Sequence, residues 1–166
     1  MAMRPLVGMI LASLWLGAAL LLAGSVAPTV FATLPSHVMA GAVVGHVLPV
    51  VFLSGLFGGV IVAATALQGA QATGRRARVG FAVVWGLACG VAQFVVTPRI
   101  HQLQMAIGGS VDALARDDVR RVVFSRLHGT ILGVFGIAII AAAVVVILSL
   151  HDTRAHTPNS SPSRTP

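Results

Sequence analysis

Four histidines, His37, His46, His101 and His128, are the residues of this chain best suited to chemistry. Neutral imidazoles from two helices clamp a haem iron or a transition metal. An imidazole also relays protons, because its unperturbed pKa lies near neutrality. His37 and His46 are nine residues apart, on opposite faces of a helix, and the chain contains no His-x-x-x-His pair. A haem or metal would therefore be held by His128 together with His46 or His101. Asp117, Arg121, Ser125 and His128 follow one another at +4, +4 and +3, which makes a polar stripe on a helix and spaces Asp117 to pair with Arg121. The structural alternative is that His46 and His128 bond helix backbones and fix the packing. No residue is assigned a catalytic role: the sequence holds no Ser-His-Asp set, no nucleotide loop and no acid inside an apolar run. That last point counts against an ion-coupled pump with a carboxylate relay.

The elements that position these groups are apolar. From Pro5 to Gly74 there is no Asp, Glu, Lys or Arg, whereas water-soluble domains need surface charge. The 166 residues are 57% hydrophobic and 9% charged, against about 25% charged in a soluble domain. At roughly 20 residues per crossing, this length predicts an all-α polytopic membrane protein, an antiparallel bundle of four transmembrane helices in a single domain over 1–150. The spans are placed at 6–26, 38–67, 79–97 and 122–150. The first is too long for the apolar core of a signal peptide and is read as a retained helix. Pro28 and Thr97-Pro98-Arg99 are read as helix ends, 27–37 as an uncharged link, and Pro49 as the site of a kink. Residues 151–166, rich in Pro, Ser and Thr, are expected to be a disordered tail.

All eleven positive side chains are Arg, giving a net charge of +7. They sit between apolar runs rather than along a soluble face, which points to anionic lipid headgroups and not to nucleic acid. The 2–3 turn carries Arg75, Arg76 and Arg78 while the 1–2 link has none. The expected location is thus the plasma (inner) membrane, with both termini cytoplasmic. Antiparallel packing then gathers the four histidines, Arg99 and Arg126 at the opposite end. Glycines four apart, as in Gly41/Gly45, Gly55/Gly59, Gly86/Gly90 and Gly129/Gly133, allow close helix approach within the bundle or in a homo-oligomer. Trp15, Trp85 and the single Cys89 lie mid-span and read as core, and Gln68 and Gln93 as amides joining helices.

Several short stretches carry a resemblance to a known family. They are Leu14-Trp15-Leu16-Gly17, Pro28 to Leu34 with Phe31, Ala40-Gly41, Thr97 to Leu103 with Pro98, and Phe124-Ser125-Arg126-Leu127-His128. On these the chain resembles the transmembrane protein 205-like family, also described as domain of unknown function 4149. The resemblance implies a four-helix membrane bundle and draws attention to Trp15, Gly17, Pro28, Phe31, Gly41, Pro98, Phe124 and His128. It implies no biochemical activity. A more distant likeness to copper-resistance D and protoporphyrinogen-oxidising four-helix proteins implies haem or copper at His128. Three functions follow as expectations: a non-enzymatic structural or accessory bundle, a haem- or metal-binding redox protein, or a transporter or channel component acting as an oligomer. The partners expected are the lipid bilayer and a second copy or another membrane protein.

Overall fold

The computed structural model describes residues 3–67, 74–108 and 110–155. Six α-helices account for most of them: α1 (Met3–Leu21), α2 (Ala27–Thr33), α3 (His37–Leu67), α4 (Arg75–Val91), α5 (Thr97–Ile107) and α6 (Val119–Ala155). A π-turn joins α1 to α2 over Leu22–Val26 and another joins α4 to α5 over Ala92–Val96, so each pair is one continuous rod. Four such rods are long and apolar enough to cross a membrane, over Leu6–Thr33, His37–Leu67, Arg75–Ile107 and Val119–His151. The chain is a multi-pass membrane protein with an all-α fold.

The prolines explain why these rods outrun the expected spans. Pro28 and Pro98 each lack an N–H, and in a regular helix the ring would clash with the carbonyl four residues back. Widening the preceding turn removes the conflict. Ala27 N–H reaches back five residues to Leu22 O, and Thr97 N–H does the same to Ala92 O. The Thr97 hydroxyl adds a second bond to Ala92 O at 2.8 Å. Residues 27–33 are therefore helix, not link, and Thr97-Pro98-Arg99 continues α4 into α5 instead of ending it. At the other extreme α6 runs to Ala155, so residues 151–155 of the expected tail are helical; 156–166 lie outside the described residues, as does Gln68.

The rods form a ring in which α1 touches α3 and α6, and α4 touches α3 and α6. α1 and α4 thus occupy one diagonal, α3 and α6 the other. The closest seam is α3 against α4, and its glycines are the reason. A Cβ on Gly59 would stand 2.7 Å from both Ala82 O and Gly86 N, and one on Gly55 would stand 2.5 Å from Cys89 Sγ. Gly55/Gly59 and Gly86 therefore serve packing inside the chain. Gly41, Gly45, Gly129 and Gly133 have nothing within 4 Å of the corresponding point.

The two halves are copies of one hairpin. Gly8, Ala12, Trp15, Ala19 and Leu22 are buried, and so are Arg78, Ala82, Trp85, Cys89 and Ala92, each seventy residues further on. The π-turns and Pro28/Pro98 obey the same offset. On the second helix of each hairpin the offset is eighty-three: Phe52, Gly55, Gly58, Gly59, Val62 and Ala66 answer to Phe135, Ala138, Ala141, Ala142, Val145 and Ser149, all buried. The larger offset reflects mainly a longer α5 than α2 and a longer second connection, Gly108–Asp118 against Leu34–Ser36. Both hairpins start at the same end, so this is a parallel repeat about an axis along the membrane normal. Because each half is a self-contained hairpin, co-expressed fragments 1–73 and 74–166 should assemble and co-purify. Failure of tagged 1–73 to retain 74–166 would contradict the hairpin as a folding unit.

Candidate functional site

The repeat axis is filled by aromatic rings. Trp15 and Trp85 meet across one diagonal with centroids 5.1 Å apart, and Phe52 and Phe135 across the other at 5.6 Å and 85°. Trp15 also meets Phe135 edge-on at 6.3 Å. Edge-to-face and tilted arrangements at these distances are favourable beyond the area they bury. Cys89 packs with them, with no exposed surface. The mid-span tryptophans and the cysteine are core, as their positions predict.

The two indoles are not equivalent. Trp15 Nε1 donates to Val51 O at 2.8 Å, a carbonyl that also accepts from Ser54 Oγ at 3.0 Å. Val134 is the repeat mate of Val51, yet Trp85 Nε1 is buried without an acceptor among the described residues. Each indole lies over a glycine of α3: a Cβ at Gly58 would stand 2.8 Å from Trp85 Cη2, and one at Gly55 would stand 2.7 Å from Trp15 Nε1. Both rings thus approach α3, which belongs to the hairpin of Trp15 and not to that of Trp85. Gln93 Oε1, in the second π-turn, is also buried without a partner among the described residues.

Beyond the π-turns the packing opens. No residue of α2 or α5 is buried, and on α6 burial begins only at Ile131. This is the end that carries the histidines. Counted from the opposite end, marked by Arg75–Arg78, His46 stands 21 residues from Leu67 and His128 stands 22 from Leu150. At 1.5 Å per residue both lie roughly 30 Å from that end, about the thickness of a hydrocarbon core. All four histidines are exposed. His46 Nδ1 contacts Ala42 O on its own helix at 2.7 Å, and the His128 ring stacks on Phe124, one turn back, at 6.1 Å and 12°. His37 Nδ1 lies 3.0 Å from Asp112 Oδ2 and edge-on to Phe31 at 6.0 Å, which ties the start of α3 to the loop before α6. That pair is solvent-exposed, with side chains 70% and 60% accessible, and contributes little.

His46 and His128 stand on α3 and α6, at opposite corners of the ring, and no hydrogen bond or ring contact joins them or His101 among the described residues. Nor do three His, Cys, Asp or Glu side chains stand together as a metal cluster among those residues. The polar stripe differs from expectation at its head. Asp117 lies in the turn before α6, so the i,i+4 geometry is never established; Arg121 donates instead to Leu114 O at 2.8 Å. Asp118 takes the capping role, accepting from Arg120 N at 2.8 Å and from the Arg120 guanidinium at 2.8 Å. That hydrogen bond holds the Asp118 carboxyl below its usual range. Ser125 and His128 follow on the exposed side of α6.

Fold and site together define a polytopic four-helix membrane protein made of two fused hairpins around an aromatic centre. A family model described as Domain of unknown function (DUF4149) matches residues 10–108, and the chain belongs to that family. The match takes in Trp15, Gly17, Pro28, Phe31, Gly41 and Pro98, hence both π-turns and both tryptophans; Phe124 and His128 lie beyond it. No curated protein and no solved structure matches the chain.

Proposed function

We propose that this protein is a non-enzymatic accessory bundle that works through its outer surface, in contact with lipid or another membrane protein. The observation that carries the reading is the aromatic quartet: Trp15, Trp85, Phe52 and Phe135 close the axis where a transport path or an enclosed cofactor would run. The histidines support it from outside: all four are exposed, His46 and His128 are held by contacts within their own helices, and His37 meets Asp112 in the loop before α6. The likeness to the transmembrane protein 205-like family, carried by the motifs around Trp15, Pro28, Pro98 and His128, agrees with a bundle of this kind and adds no activity.

The test is an absorption spectrum of the detergent-purified protein, expressed with ample haem and recorded as isolated and after chemical reduction. The expected spectrum has no Soret band. A Soret band that shifts on reduction and vanishes in His128→Ala would overturn the reading and make His128, with His46 or His101, an axial ligand.

A further inference from the structure

We propose that His37 and Asp112 form a pH-responsive latch across the end of the bundle where the two hairpins stand apart. This goes beyond the accessory reading and stands on separate observations. Past the π-turns α2 packs on α3 and α5 on α6, and neither packs to any extent on the other hairpin. No residue of α2 or α5 is buried. Each π-turn interrupts regular helical bonding just before a proline, so the rods bend most easily where the hairpins part. The contact of His37 Nδ1 with Asp112 Oδ2, at 3.0 Å and 75 residues apart in the chain, crosses that gap. Among the described residues, the other side-chain hydrogen bonds at this end stay within one hairpin.

Both partners are fixed to their own hairpin. The His37 ring meets Phe31 of α2 edge-on at 6.0 Å, and the Ser36 hydroxyl accepts from Met39 N at 3.2 Å at the start of α3. Asp112 sits in the short turn Val111–Ala113, which the Ser110 hydroxyl caps by accepting from Asp112 N at 3.2 Å. Arg121 of α6 holds that turn through its bond to Leu114 O at 2.8 Å. A pull between the two side chains is therefore a pull between the hairpins. Protonation of an imidazole, which falls between about pH 5 and 8, turns such a contact into an ion pair. The latch thus tightens as pH falls through that range and loosens as pH rises; acid strong enough to protonate the carboxylate releases it again. Neighbouring charges replace neither partner. α2 holds no titratable group, Arg120 is taken by Asp118, and Arg116 and Asp117 adjoin in the loop with no net charge. The other titratable groups at this end are His46 on α3, Arg99 and His101 on α5, and Arg126 and His128 further along α6. An exposed pair adds little to overall stability, but it shifts the ratio of closed to open ends by up to about fivefold.

The experiment is double electron–electron resonance on the full chain in lipid nanodiscs, with nitroxides on Met39→Cys/Met105→Cys. Both positions are exposed, one at the start of α3 and one on α5, and Cys89 has no exposed surface to take a label. The expected distance distribution is shorter and narrower at about pH 5 than at about pH 8, the two ends of the imidazole range. His37→Ala and Asp112→Asn should each show the alkaline distribution at both pH values. A parent distribution that does not change with pH would overturn the proposal. So would an Asp112→Asn protein that responds as the parent does, which would assign the response to another histidine. If the labelled variants fail to fold, hydrogen exchange of unlabelled parent and Asp112→Asn decides, both taken at one pH near the acidic end. Faster exchange over 27–33 and 97–107 in the variant is expected there, and equal exchange would contradict the latch.

Discussion

Gly59→Ala breaks the α3–α4 seam and destabilises the bundle by about 3 kcal/mol or more. The added methyl falls 2.7 Å from Ala82 O and from Gly86 N, which are backbone atoms and cannot swing aside as a side chain does. Relief requires the helices to part, and parting them strips contacts from the whole seam down to Gly55 and Cys89. Hydrophobic force does not restore them in lipid, where close packing is what drives helix association. Gly41→Ala is the control. Nothing lies within 4 Å of its added methyl, and the position is helical, so it should be neutral or stabilising by about 0.5–1 kcal/mol. Thermal unfolding in detergent, followed by circular dichroism, separates the two. Equal midpoints would mean that the seam is not packed as described.

The tryptophans should respond unequally to the same substitution. Trp15→Ala removes the ring that contacts Trp85 and Phe135, an expected loss of about 3–5 kcal/mol for a large aromatic in a packed centre. Trp15→Phe keeps most of the ring but deletes the bond to Val51 O, at about 1 kcal/mol. Because Ser54 still donates to that carbonyl, no bare acceptor is left behind. Trp85→Phe deletes a buried N–H that has no acceptor among the described residues, so its expected effect is zero or a gain. A Trp85→Phe loss larger than that of Trp15→Phe would contradict the difference between the two repeats. The midpoint of detergent unfolding is again the readout.

The apolar runs made the four crossings, the antiparallel bundle and the core roles of Trp15, Trp85 and Cys89 legible in the sequence. Helix ends were less so, for a specific reason. Proline reads as a stop, yet Pro28 and Pro98 follow turns that have already widened to accommodate them. The internal repeat was within reach: Trp15/Trp85 and Pro28/Pro98 share one spacing. The rest of it is carried by Ala, Gly and Cys, whose common feature is small size and not identity. Position within the ring was not legible at all, because periodicity says which face of a helix is apolar but not which neighbour covers it. His46 and His128, offered from sequence as a ligand pair at one end, stand on the α3–α6 diagonal, and no hydrogen bond or ring contact joins them among the described residues.

The account's central claim is that the interior is closed by contact between the two repeats, with function left to the surface. The chain has two tryptophans and no tyrosine, so its indole spectrum reports that contact and nothing else. The deciding measurement is circular dichroism in the indole absorption region for the parent, Trp15→Phe and Trp85→Phe. Rings 5.1 Å apart and tilted by 52° should couple, giving the parent a two-signed exciton band that both single variants lack. A parent spectrum equal to the sum of the two variants' single-indole spectra would mean that the rings do not meet, and the closed centre would fall with them.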